Sequence, residues 1–195
     1  LALLLHSGAL PAPLEVLEER TVGAGLGSDS IREGITASII GLIAVIVFMV
    51  LAYGLFGIFT TVTVLMNLFL MLGALSFMGA TLTLPGIAGI ILTIGMAVDA
   101  NVLIFERMRE EVKNGRSTKD AAEAGFTEAW GTIVDSNLTT LVAAFVLFYF
   151  GTGPVRGFAV TLAIGIATSM FTSVTVTRLI IASWLNKYKP TKLPI

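Results

Sequence analysis

Gly86-Ile-Ala-Gly-Ile-Ile-Leu-Thr-Ile-Gly-Met-Ala-Val-Asp-Ala-Asn-Val-Leu-Ile-Phe-Glu106 is the stretch that decides the fold. A helix needs about 20 apolar residues to cross the ~30 Å hydrocarbon core of a bilayer. This stretch meets that length and carries one acid, Asp99, well inside it. At a helix centre an ionised Asp costs roughly 2.5–3.5 kcal/mol on insertion scales. A chain that keeps such an acid gives it a partner, a proton or a task.

The composition agrees with a membrane chain. Hydrophobic residues make up 55% and charged residues 13%, against ~25% charged in soluble domains. The charges gather at residues 15–33, 99–135 and 178–192, and the net charge of −1 provides no basic field for nucleic acid. Cysteine is absent, which excludes disulfides, thiolate metal sites and cysteine catalysis. A lone His6 cannot build a histidine metal site, and nothing calls for a cofactor.

Residues 1–34 read as the end of a soluble domain plus a hinge. Leu1–Ser7 is expected to be the tail of a helix capped by Gly8, and Pro11 and Pro13 an extended turn. Leu14–Val22 is expected to be a strand, and Gly23, Gly25 and Gly27 a flexible joint. The glycine spacing does not fit a phosphate loop. Ser28 or Asp29 is expected to cap the first membrane helix. With no initiator Met, signal peptide or basic leader, the chain reads as a piece of something longer.

Residues 35–186 then divide into five expected spans: 35–53, 58–78, 86–105, 132–150 and 157–182. The fold class is an all-α polytopic membrane protein. Gly54–Gly57, the connector 79–85 and Gly151–Val155 supply the turns, and Pro85 suits a helix start. The segment 106–131 is expected to form two helical pieces at the cytoplasmic surface, broken at Asn114-Gly115 and restarted at Ser117, with a weak apolar face of Ala121, Ala122, Ala124, Phe126, Ala129 and Trp130. Residues 187–195 would form a cytoplasmic tail. Arg107, Arg109, Lys113, Arg116 and Lys119 in that segment, and Lys187, Lys189 and Lys192 at the end, put both regions on the cytoplasmic side by the positive-inside rule. Residues 1–34 then face outward, and Trp184 and Tyr188 suit the interface.

Inside the spans the polar residues are few. Gly95 lies one turn before Asp99 on the same face, where a missing side chain admits a neighbouring helix or water. Val102 and Glu106 continue that stripe. No cation of the same chain is expected at that depth, so Asp99 is either protonated or paired with a cation of another chain. Either state suits a proton carrier; a hydrogen-bonded structural acid is the plain alternative. Asp135 and Thr139 on the fourth span, with Ser136, Asn137 and Thr140 close by, are candidates for a proton path, as is Asn101; the plain alternative for Asp135 is an acid favoured near a helix N-terminus. Asn101 and Asn67 also suit helix–helix hydrogen bonding. Gly157, Thr161, Gly165, Ser169, Ser173 and Thr177 recur at i+4 and mark a close-packing face.

These residues carry a resemblance. Gly95-Met-Ala-Val-Asp-Ala-Asn-Val-Leu-Ile-Phe-Glu-Arg107 resembles the signature of the SecD family of bacterial protein-export subunits. Ala9–Leu14 with Glu18–Val22, and Gly153–Leu162, resemble two further blocks in the same order. The resemblance implies helices two to six of a six-helix RND-type half, preceded by the end of a periplasmic domain, in the bacterial inner membrane. It implies SecF as partner and source of the cation facing Asp99, association with the SecYEG channel, YajC and YidC as further partners, and preproteins as substrate. It also implies use of the proton motive force after the ATP-dependent SecA step, with Asp99 as the intramembrane proton carrier.

Three other classes compete. An intramembrane aspartyl protease would use Asp99 and Asp135, but Val98 and Val134 stand where such enzymes place Gly and Tyr. A proton-driven RND-type small-solute exporter is the main alternative. A scaffold without transport is the last.

Overall fold

The computed structural model describes residues 24–190, 193 and 194, and among these all regular structure is helical. The expected terminal helix, proline turn, strand and Gly23 lie outside the described residues. Helix α1 covers Ala24–Phe77 and is broken at Gly54, whose φ of 53° and ψ of −120° divide it into two arms, 24–53 and 55–77. Helix α2 is Leu84–Lys113, α3 is Thr118–Phe150, and α4 is Pro154–Phe171. A π-helical segment, Thr172–Val176, joins α4 to α5, Thr177–Tyr188. Asp29–Phe77, Leu84–Lys113, Thr118–Phe150 and Pro154–Tyr188 are each long and apolar enough to cross a membrane.

The break in α1 is a reversal. A Cβ placed on Gly57 would stand 2.1 Å from the Met49 carbonyl oxygen. Residues eight apart on a straight helix are about 12 Å apart along its axis. The two arms therefore fold back on each other, and Gly54 adopts the backbone conformation of a type II′ turn that glycine accepts without strain.

Local chemistry places the other ends. The Thr83 hydroxyl accepts from Gly86 N at 3.2 Å and donates to the Pro154 carbonyl at 3.3 Å, so one side chain caps α2 and ties it to the start of α4. Between α2 and α3 only residues 114–117 turn. Asn114 ends α2, Gly115 takes φ 87°, and the Ser117 hydroxyl caps α3 through Asp120 N at 3.3 Å.

One expectation is refined here and one corrected. The segment 106–131 forms the two expected helical pieces, broken at Asn114-Gly115 and capped anew by Ser117, and they are continuous with α2 and α3. Ala121, Ala122, Ala124, Phe126 and Ala129 are buried, while Trp130 is exposed. A Cβ on Gly125 would meet Met108 Cγ at 2.4 Å, so the two extensions pack at backbone distance and stay helical. Ser28 and Asp29 do not start the first helix. It begins by Ala24 and runs through Gly25 and Gly27, because glycine weakens a helix by about 1 kcal/mol without blocking it as proline does.

At the end of the bundle nearest the Gly54 turn, Tyr53, Phe56, Phe59, Phe105 and Trp184 form a ring cluster with centroids 5.3–6.1 Å apart. Such pairs contribute about 0.5–1.5 kcal/mol each beyond their burial. Leu193 is buried against this core and the Thr118 hydroxyl donates to the Pro190 carbonyl at 3.1 Å, so Pro190 and Leu193 lie against the bundle.

Candidate functional site

Helix α2 has two working faces. Gly86, Gly89, Thr93, Ala97 and Asn101 lie toward α4 and the segment after it. A Cβ on Gly165 would stand 2.4 Å from Thr93 Oγ1 and Cγ2, and one on Gly157 would stand 2.7 Å from Thr83 Oγ1. One on Gly89 would stand 3.3 Å from Thr161 Cγ2. Further along, Ser173 Oγ donates to the Ala97 carbonyl at 3.3 Å and Thr177 Oγ1 to Asn101 Oδ1 at 2.9 Å. The contacts advance together along both helices, which therefore run parallel. Ser169 is buried in the same stripe.

The opposite face of α2 carries Gly95, Asp99, Val102 and Glu106, about 200° around the axis from Thr93 and Ala97. Asp99 is exposed. It opens on two clefts. The first, about 160 Å³, lies between α2 and α3 and is lined by Met96, Asp99, Ala100, Leu103, Ile133, Ser136, Asn137 and Thr140. The second is an open groove against the first arm of α1, where Ala44, Val45 and Phe48 face Gly95, Val98, Asp99 and Val102. Among the described residues the ion pairs are Arg107–Glu110, Arg109–Glu106 and Arg116–Glu111, and none involves Asp99.

Several expected site residues sit elsewhere. Gly95 packs against nothing within 4 Å of a built Cβ, so it opens the space beside Asp99 and does not seat a helix of this chain. Asp135 and Thr139 are exposed and line neither cleft. Each precedes a lining residue by one position and is turned about 100° away from it. Asn101 is buried and engaged on both sides, accepting from Thr177 and donating to the Ala97 carbonyl at 3.1 Å, and it lines neither cleft. Asn67 is buried in the second arm of α1.

The polar wall opposite Asp99 comes from Ser136, Asn137 and Thr140. Ser136 and Asn137 donate to the Ile133 carbonyl at 3.2 and 2.7 Å, and Thr140 to the Ser136 carbonyl at 3.0 Å. With their protons held by backbone, the two hydroxyl oxygens face the cleft as acceptors. The stripe ends at a cluster that sequence alone did not reveal. Glu106 Oε1 accepts from Tyr53 Oη at 2.9 Å and from Arg109 Nη1 at 2.7 Å, and the guanidinium lies 5.2 Å from the Tyr53 ring centroid. The i,i+3 spacing of Glu106 and Arg109 was the available signal; Tyr53 is brought in by the Gly54 reversal.

Residues 8–187 match the family model described as protein export membrane protein SecD/SecF, C-terminal. The chain belongs to this family. Among SecD protein translocase subunits it is 57% identical over 97% of its length to that of Koribacter versatilis, and 54% identical over 99% to that of Rickettsia prowazekii. It spans 35% and 37% of those two relatives. The crystal structure of SecDF from Thermus thermophilus, described as a translocon-associated membrane protein, superposes with a TM-score of 0.88 at 44% identity, over 97% of this chain and 26% of that one. A SecDF structure in the super-membrane-facing form gives 0.80 at 45% identity, over 96% of this chain and 26% of that one. The all-helical architecture of the described residues, with four helices long and apolar enough to cross a membrane, agrees with assignment to this family of membrane proteins.

Proposed function

We propose that this chain is the membrane part of a translocase subunit that couples proton movement to preprotein export, and that it is not an enzyme. Counting the arms that meet at Gly54 separately, it supplies five crossings, helices two to six of a six-helix half, following the end of a periplasmic domain. Its N-terminal side faces the periplasm and the extended ends of α2 and α3 face the cytoplasm of a bacterial inner membrane, in keeping with the basic residues at 107–119 and 187–189. SecF is the partner, and the pair works with SecYEG after the SecA step, alongside YajC and YidC.

One observation carries this reading. Asp99 stands on the open face of α2, between two clefts, with no cation paired to it among the described residues, while the opposite face is locked against α4. An acid so placed is completed by a cation from a partner helix when ionised and released from it when protonated. Protonation then changes the partner's seating on α2, and α4 moves with α2 as one body. The motion reaches the periplasmic domain through the first arm of α1. Gly25 and Gly27 of the expected joint are helical within α1.

The test is Asp99→Asn in the full-length protein, assayed in inverted membrane vesicles. Gradient-dependent preprotein translocation is expected to be lost while co-purification with SecF is retained. Unchanged gradient-driven translocation would sink the proposal. A solute-efflux defect with normal export would instead identify a small-solute exporter.

A further inference from the structure

The extension of α3 and the last turns of α5 enclose a cleft of about 170 Å³ that shares no residue with the Asp99 clefts. Lys119, Glu123 and Phe126 line one wall; Arg178, Leu185 and Asn186 line the other. Arg178 holds its guanidinium carbon 6.0 Å from the Phe126 ring centroid. Neither Arg178 nor Lys119 belongs to an ion pair among the described residues, and Glu123 is the one carboxylate in the lining.

The depth of the cleft follows from contacts already described. Thr177 is level with Asn101, so the Arg178 backbone sits within the apolar length of the bundle. Phe126 follows Gly125, which packs at Ile104 and Met108, where α2 leaves its apolar stretch. The Arg178 side chain thus reaches from the apolar zone toward the polar end, the pattern of a long cationic side chain lying along apolar surface with its charge at the interface. The cleft has apolar walls at Phe126 and Leu185 and two cations among its polar groups.

We propose that this cleft binds the phosphate of an anionic phospholipid headgroup. Arg178 and Lys119 pair with the phosphate oxygens, the Asn186 amide donates to them, and the acyl chain follows the apolar side of α5. A free phosphate would lose hydration against Phe126 and Leu185 with no apolar part to offset the loss. A lipid brings both parts and is already concentrated in the plane of the cleft. Each cation near a membrane surface is worth about a fivefold change in affinity for anionic lipid.

Native mass spectrometry of the detergent-purified full-length protein, with dioleoylphosphatidylglycerol or dioleoylphosphatidylcholine added, tests this. Wild type is expected to retain the glycerol lipid preferentially. Lys119→Gln should lower that retention about fivefold, and Lys119→Gln with Arg178→Gln should bring it to the choline-lipid level. Glu123→Gln should not lower it. Lys119 is exposed, so its single variant keeps the test decisive if the double variant fails to fold. Equal retention of the two lipids, or wild-type retention in Lys119→Gln, would overturn the proposal. Displacement of the lipid by inorganic phosphate would assign the cleft to a free anion and overturn it equally. The inference rests on the membrane placement of these helices and not on proton coupling, so Asp99→Asn should leave lipid retention unchanged.

Discussion

Thr177 donates its hydroxyl to Asn101 Oδ1 at 2.9 Å, just where the π-helical segment Thr172–Val176 ends. A stripe repeating strictly every four residues drifts by about 40° per step around an α-helix. From Gly157 to Thr177 that drift would carry the stripe halfway round. One wider turn, with its i→i+5 bonding, takes back about 100°. The π segment thus keeps Ser173 and Thr177 turned toward α2, where both reach it by hydrogen bonds.

Removing that hydrogen bond tests the arrangement. Thr177→Val keeps the shape and deletes the donor. Because interhelical hydrogen bonds in membranes average about 0.6 kcal/mol and reach about 1.7, thermal unfolding in detergent should show a loss within that range. Thr177→Val combined with Asn101→Leu should cost less than the sum of the two single changes. Strict additivity would mean that the contact is not an energetic one.

The α2–α4 contact should be intolerant of a single methyl group. Gly165→Ala places a Cβ 2.4 Å from Thr93 side-chain atoms and should destabilise by about 1–3 kcal/mol. Thr93→Ala, which removes the closest atoms, should recover part of the loss. Gly41→Ala and Gly73→Ala meet nothing within 4 Å and lie inside helices, so they should be neutral or slightly stabilising. Differential scanning fluorimetry across this set checks the ranking.

The reversal in α1 depends on two glycines for different reasons. Gly54 needs positive φ, and Ala there should cost at least about 1 kcal/mol. Gly57→Ala drives a Cβ into the Met49 carbonyl and should open the hairpin. Thermal unfolding in detergent checks both, each variant melting below the parent.

The lining of the Asp99 cleft predicts a division among neighbouring residues. Ser136→Ala with Thr140→Val removes the hydroxyl wall and should slow gradient-dependent translocation. Asp135→Asn and Thr139→Val alter side chains outside the cleft and should leave that rate unchanged with the complex intact. The same vesicle assay reports both. Equal defects in the two pairs would show that the path does not follow the cleft.

The membrane class, the apolar segments, the expensive acid and the small-residue stripe were legible in the sequence because each depends on composition or on spacing along one helix. The stripe's partner face was not. Gly86, Gly89, Thr93 and Ala97 resemble ordinary helix residues until Gly157, Thr161 and Gly165 are set against them. The candidates Asp135 and Thr139 were drawn by polarity, whereas the cleft is formed by Ser136, Asn137 and Thr140, one position on. A single residue turns a side chain about 100°, and polarity alone carries no information on that angle.

The amino-acid order by itself determined that α2 is long and apolar enough to cross a membrane and holds Asp99 within its apolar length, since that property depends on the helix's own residues. Only the tertiary structure decided which face of α2 is locked and which is open. That choice is made by close packing, in which the absence of a Cβ at Gly165 admits Thr93 and so turns Asp99 away from α4 toward the two clefts.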